Sequence, residues 1–170
     1  MGAVAVVMSH KFSLRSVTAD DRDFLLRVYE SSREIELSFV PWDAKMKRAF
    51  VEHQFDAQTA HYTTEYPDAR HDIILTDTNE PVGRVYVNRT DDLIAILDLI
   101  ILPECRRSGF GSNVISTLLD EARASGKAVQ IYVENFNPSH QFFITRGFVV
   151  EDVGEINLRL VWRDQKIPRH

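Results

Sequence analysis

The sequence carries one cysteine, Cys105, so no disulfide can form within the chain. Its stability must come from a packed core, and a reducing compartment suits it. A lone thiol between a strand and a helix is either an ordinary loop residue or a nucleophile, and a nucleophile needs an activating base nearby. Basic residues are also in deficit, with 20 Lys and Arg against 25 Asp and Glu, a net charge of −5 and a pI near 5.7. That balance argues against a general nucleic-acid binder and leaves a mildly cationic partner easy to accept. No apolar run approaches the length of a membrane span. Met1 to Val7 is small and apolar, but it lacks a basic flank and is too short for a signal peptide. It is expected to be a tail, with Met8 available as a second start, and the chain is expected to be cytoplasmic, with no membrane partner. His53, His61 and His71 do not fall at a compact metal-ligand spacing, so no metal is expected. Long linkers, internal repeats and low-complexity blocks are missing too.

What remains is 170 residues with 44% hydrophobic and 26% charged content, enough for one domain with a substantial core. The expected division is a flexible tail over 1–10, a single domain over 11–165 and a short tail over 166–170. Phe12 to Val17 alternates apolar and polar as a half-buried strand does. Thr18 with Asp21 three residues later is a helix-start signal, and a helix through Phe24, Leu25, Val28 and Tyr29 follows. Pro41-Trp42-Asp43 opens a second helix with a stripe of Met46, Ala49, Phe50, His53 and Ala57, ending between Thr63 and Pro67. Ile73 to Leu75 and Val82 to Val87 flank the turn residues Asp77 to Pro81 and form a hairpin. Leu93 to Leu102 is almost continuously apolar, which predicts a central strand covered on both faces. A helix from Gly109 to Ser125 is capped by Gly126. A strand over Val129 to Val133, a short helix over Asn137 to Arg146 and two closing strands, Phe148 to Val153 and Glu155 to Trp162, complete a β-α-α-β-β-β-α-β-α-β-β order. This is a mixed α/β layer fold.

The chemistry concentrates where the central strand meets the next helix, at Arg106-Arg107-Ser108-Gly109-Phe110-Gly111. A helix N-terminus presents backbone N–H groups without internal acceptors, and the positive end of its dipole favours an anion. Gly109 and Gly111 allow tight turning and close approach of a ligand, and two arginines add donors suited to phosphate. The stretch therefore predicts a diphosphate cradle, against the plainer reading of a connecting loop with two turn glycines and solvated arginines. It is not a P-loop, since no Gly-Lys-Ser/Thr follows, and it differs from the dinucleotide fingerprint.

Arg106-x-x-Gly109-x-Gly111 resembles the Q/R-x-x-G-x-G/A signature of the GNAT acetyltransferase superfamily. Ile101-Leu102-Pro103-Glu104 looks like that family's apolar strand followed by Pro-Glu. Asn137 to Phe148 is similar to its N-P-A-x-x-L-Y-E-x-x-G-F block, and the resemblance in element order runs from about Phe12 to Trp162. It implies a mixed central sheet of six to seven strands flanked by about four helices, with splayed central strands forming an acyl-CoA cleft. It further implies acetyl-coenzyme A as cofactor, with the diphosphate on the loop from Arg106 and Arg107 through Ser108, Gly109, Phe110 and Gly111 to Ser112. The pantetheine arm would lie along Leu99, Ile100 and Ile101, with Asn137, Phe142, Phe143 and Arg146 beside the coenzyme. An N–H near Ile101 would polarise the thioester carbonyl. The implied reaction is direct acetyl transfer to a primary amine of a small molecule or peptide, and a homodimer is common among similar proteins.

The sequence departs from that pattern at the proton-transfer positions. Phe143 stands where many relatives place a tyrosine acid, and Ile144 where a glutamate is usual. Tyr132 is a substitute acid or a packing residue. Asp98 and Glu134 are candidate bases, or a structural aspartate and a solvated strand-end charge; proton loss through ordered water needs neither. The acceptor pocket is expected from the first two helices and their joining loop, Glu30 through Trp42, with Arg33, Glu34, Glu36 and Trp42 as substrate contacts or as a solvated charge cluster. Without an acid, the alternative function is a non-catalytic acyl-CoA-binding protein of the same fold.

Overall fold

Among the described residues, seven strands form one sheet in the order β1-β2-β3-β4-β5-β7-β6. The computed structural model describes residues 11–166; the expected tail over 1–10 and all but the start of the C-terminal tail lie outside them. The strands are β1 (Phe12–Ser16), β2 (Arg70–Thr76), β3 (Pro81–Arg89), β4 (Leu93–Ile101), β5 (Ala128–Glu134), β6 (Val149–Val153) and β7 (Asn157–Trp162). The helices are α1 (Arg22–Ser38), α2 (Ala44–Glu65), α3 (Phe110–Ser125) and α4 (His140–Ile144). β1 to β4 pair as an antiparallel meander, β4 and β5 pair in parallel, and β7 lies antiparallel between β5 and β6. The element order is the one the sequence predicts.

Each face of the sheet carries its own apolar layer. α3 places Val114, Ile115, Leu118, Leu119 and Ala122 on one face, against Ile94, Ile96, Val129, Ile131 and, from α4, Phe143. α1 and α2 cover the other face through Leu25, Leu26, Tyr29, Val51 and Phe55 packed on Ile73 and Leu75. Among the described residues, no helix is long and apolar enough to cross a membrane.

Several boundaries differ from expectation. A 3-10 turn over Ala19–Asp21, with Thr18 N–H donating to the Asp21 carboxylate at 2.7 Å, precedes α1. α1 then continues to Ser38, so Glu30 to Glu36 is helical and the connection to α2 shrinks to residues 39–43. Buried Leu37 and the Arg33–Glu36 pair, one turn apart, reward the extra turns. The apolar stripe expected on α2 is not its inward face: Met46 is 51% and Phe50 37% exposed, while Val51 and Phe55 are buried. The inward stripe continues through Gln58 and Tyr62, whose polar atoms bond to the sheet. α4 spans five residues rather than ten, because Pro138 and an Asx turn, with Asn137 Oδ1 accepting from Ser139 N–H at 2.9 Å, occupy its expected start.

Candidate functional site

β4 and β5 run together from Leu93↔Ala128 to Ile96↔Ile131, and their pairing stops there. The last five residues of β4 and the last three of β5 therefore border a gap at the centre of the sheet. The cause is local. β3 pairs Tyr86 with Asp98 and Val87 with Ile96, skipping Leu97, so Leu97 is a β-bulge in β4.

The bulge reverses the alternation of the strand. Before it, Ile94 and Ile96 pack under α3; after it, Leu99 and Ile101 do so, while Ile100 and Leu102 pack on Val28 of α1. Leu102 N–H donates to Val82 O of β3 at 2.9 Å. By strand alternation, the N–H and C=O groups of Leu99 and Ile101 point the other way, into the gap. Ile100, expected alongside them, turns its backbone to β3 and its side chain to α1. Ile101 O accepts from Arg106 Nε at 3.0 Å, which fastens the loop to the strand end.

That loop leads directly to the N-terminus of α3. Pro103–Cys105 forms a 3-10 turn, and Arg107 and Gly109 both take left-handed backbone, with φ of +63° and +87°. The first helical bond within α3 runs from Asn113 N–H to Gly109 O at 2.9 Å. The N–H groups of Gly111 and Ser112 precede it and lie at the positive end of the helix dipole. A Cβ placed on Gly111 would sit 3.8 Å from both Ile101 Cγ1 and Phe142 Cζ, so the strand end, the loop and α4 converge on this glycine. Arg146 reaches the same spot: it donates to Ser112 Oγ and, at 2.8 Å, to Phe142 O, and its guanidinium lies 3.6 Å from the centroid of the Phe142 ring. The side chains of Phe110 and Phe143 face inward instead, and Phe143 packs edge-on against Phe142 and Phe148. Burial and neighbouring Glu104 push the Cys105 thiol up, the opposite of what a nucleophile needs.

The other side of the gap faces α1 and α2. Without the bulge, simple alternation would put Asp98 in the α3 layer with Ile96. The bulge sends it to the α1 side, where it accepts from Arg84, a fully buried guanidinium that also donates to Gln58 Oε1 at 2.7 Å. Glu134, at the free end of β5, accepts from Arg33 Nη1 at 3.0 Å, and Arg33 also holds Glu36 at 2.9 Å. Tyr132 lies 58% exposed on the strand leading to Glu134, so packing does not account for it. Arg33, Glu36, Glu134 and Asp98 thus face the α1 side of the sheet. Glu34 does not join them: it lines an open cavity of about 450 Å³ with Arg27, Glu30, Lys47 and Glu104. Trp42 packs against Phe50, with ring centroids 5.2 Å apart. Sequence reading missed Gln58, Tyr62 and Arg84; the signal available was a polar stripe at helical spacing on α2 and an arginine inside a hydrophobic strand.

A strand pair that parts over a helix N-terminus, joined by a glycine-bearing loop, matches a known family. The family model of the GNAT acetyltransferases covers residues 27–148. The chain belongs to that family. Solved members share its architecture. The PaiA N-acetyltransferase from Thermoplasma acidophilum, crystallised in complex with coenzyme A, aligns over 91% of this chain and 99% of its own at a TM-score of 0.69 and 14% identity. An acetyltransferase from Thermus thermophilus aligns over the same shares at 0.64 and 22% identity. A GCN5-related N-acetyltransferase from Rhodopseudomonas palustris aligns over 91% and 96% at 0.62 and 20% identity. At such identities the likeness is one of fold. The search of curated proteins gives no match. The GNAT fold here is therefore established by the family and by the splayed sheet together.

Proposed function

We propose that this chain binds acetyl-coenzyme A in the gap between β4 and β5 and transfers the acetyl group to a primary amine of a small molecule or peptide. The observation that carries this is the end of β4–β5 pairing at Ile96 and Ile131, directly before the Arg106–Gly111 loop. The fit is good at both ends: the loop offers backbone donors and Arg106, Arg107 and Arg146 to a diphosphate, and the gap offers outward-turned strand amides to a pantetheine arm. The PaiA relative's structure contains coenzyme A, which supports the same occupant here.

When bound, the coenzyme supplies an acyl group already activated as a thioester. The residues of this chain hold it and receive the charge that develops. Ile101 N–H, with Leu99 N–H two residues earlier, faces the gap at the strand end and serves as the oxyanion donor. The amine enters from the α1 side, where Glu134 and Glu36 meet Arg33. Glu134 and Asp98 are both paired with arginines, so proton loss from the amine runs through water or through Glu134 once Arg33 lets go of it. No side chain at position 143 donates a proton to the departing sulfur, and direct transfer leaves Cys105 no covalent part. A second reading, a non-catalytic acyl-CoA-binding protein, is favoured by one observation, the apolar packing of Phe143.

Two measurements decide. Coenzyme A at about one hundred times its dissociation constant adds roughly 2.7 kcal/mol of stability, a rise of about 5–10 °C in melting temperature. No shift at millimolar coenzyme A removes both readings. A panel of amines assayed for thiol release then separates transferase from binder.

A further inference from the structure

We infer that Tyr62 is a positioning residue for acyl transfer, its hydroxyl fixing the Leu97 bulge and so the aim of the Leu99 and Ile101 N–H groups; the inference rests on the reading above.

The bulge leaves Leu97 outside the β3 ladder. Its carbonyl accepts from the Tyr62 hydroxyl at 3.0 Å, a bond that reaches from α2 across the α1-side layer. The ring is held in place as well. It meets Tyr86 edge-on at 5.1 Å, and Tyr86 in turn stacks on His71 at 4.2 Å with an interplanar angle of 13°. Burial, reinforced by nearby Asp98, pushes the Tyr62 hydroxyl up to about 12, so it stays protonated and keeps donating at any pH at which an amine is acetylated.

One turn earlier on α2, Gln58 accepts from Arg84, and Arg84 binds Asp98, the residue next to the bulge. Tyr62 thus holds Leu97 directly and Gln58 holds its neighbour Asp98 through Arg84, from adjacent turns of one helix. The grip matters because α2 buries only Val51 and Phe55, and because the strand amides that face the gap begin two residues beyond Leu97. Loss of the bulge, a one-residue slip of β4 against β3, would turn Leu99 and Ile101 N–H back towards β3; a bulge merely left unpinned lets their aim drift while the gap and the loop beyond it stay in place. The hydroxyl pins the extra residue at 97, where the two strands part.

Tyr62→Phe keeps the ring and its contacts and removes only the donor. The expected result is a loss of about tenfold in kcat, the scale of a small misalignment of reacting groups. The KM for acetyl-coenzyme A and the melting shift it produces should stay within twofold. In an amide-resolved nitrogen-15 spectrum of the full chain, the Leu99 and Ile101 signals should move. An unchanged kcat overturns the inference, and so does a parallel loss of coenzyme affinity and kcat, which marks general loosening. If wild-type protein binds no coenzyme A, the underlying reading fails, and the amide signals alone then decide whether Tyr62 sets the bulge: unmoved signals reject it.

Discussion

Arg33 on α1 donates to Glu134 at the end of β5 across 3.0 Å, tying a helix that packs on β4 to the strand on the far side of the gap. The same Nη1 holds Glu36, so one cation is shared by two carboxylates and the group carries a net negative charge. Replacing Arg33 with Gln leaves both acids uncompensated. For amines bearing a second positive charge KM should then fall about fivefold, and for amines bearing a carboxylate it should rise by a similar factor, the equivalent of roughly 1 kcal/mol for a partly exposed pair. Steady-state kinetics with a diamine and an amino acid measure the split; equal changes for both would mean Arg33 does not face the acceptor.

Gly111 separates the demands of fold and ligand. Its added Cβ would make only ordinary contacts, so neither alanine nor valine should unfold the chain. Gly111→Ala should keep the coenzyme-induced rise in melting temperature. Gly111→Val, whose branches project into the meeting point of Ile101 and Phe142, should abolish it while the unliganded melting temperature moves by no more than about 3 °C, roughly 1 kcal/mol, since valine is no worse a helix former than glycine.

Phe143 is buried at 5% exposure between Phe142 and Phe148. A hydroxyl added there must reach the gap or go without a partner. Phe143→Tyr should cost about 1–2 kcal/mol in the unliganded protein. With saturating acetyl-coenzyme A it should raise kcat, because the sulfur then offers the hydroxyl a place to deliver its proton. Thermal melts and thiol release check the two halves; an unchanged kcat would mean the thiolate leaves unaided.

His71 gives the fold an acid limb. Burial, aided by the Arg84 charge, lowers it from 6.5 to about 4, and its Nε2 is buried without a partner. The unfolded chain takes up this proton below about pH 6.5 and the folded chain only near 4. Stability should therefore fall as pH drops through that window, by on the order of 2–3 kcal/mol. Urea melts at pH 7 and pH 4.5 measure it, and His71→Phe should flatten the slope.

The order of elements and the strand–loop–helix junction were legible because they rest on local signals: the apolar run at Leu93–Leu102, the glycines at 109, 111 and 126, and the Asn137–Phe148 block. The face of Asp98 was not legible. Counting by twos along β4 puts it with Ile96, and the single skipped residue at Leu97 that corrects the count has no marker in an apolar run. The inward face of α2 was hidden for a related reason: Gln58 and Tyr62 look like surface residues until Arg84 and the Leu97 carbonyl are known to lie beneath them. The acids at Glu30, Glu34 and Glu36 read as one cluster along the chain, but a helix distributes them around its axis. Glu30 goes to Arg48 at 3.3 Å, Glu36 goes to Arg33, and Glu34 lines the open cavity.

Two residues of the loop, Arg107 and Gly109, hold left-handed backbone in the folded chain. An arginine in that conformation costs about 1 kcal/mol, and the rest of the domain absorbs it once, at folding. On the proposed reading, a diphosphate seated on this loop meets donors held by the fold, so the entropy of ordering the loop is not charged to each binding event. Affinity for the coenzyme is in this sense stored in the fold, and a substitution that merely relaxes the loop would make a more stable protein and a slower, weaker binder.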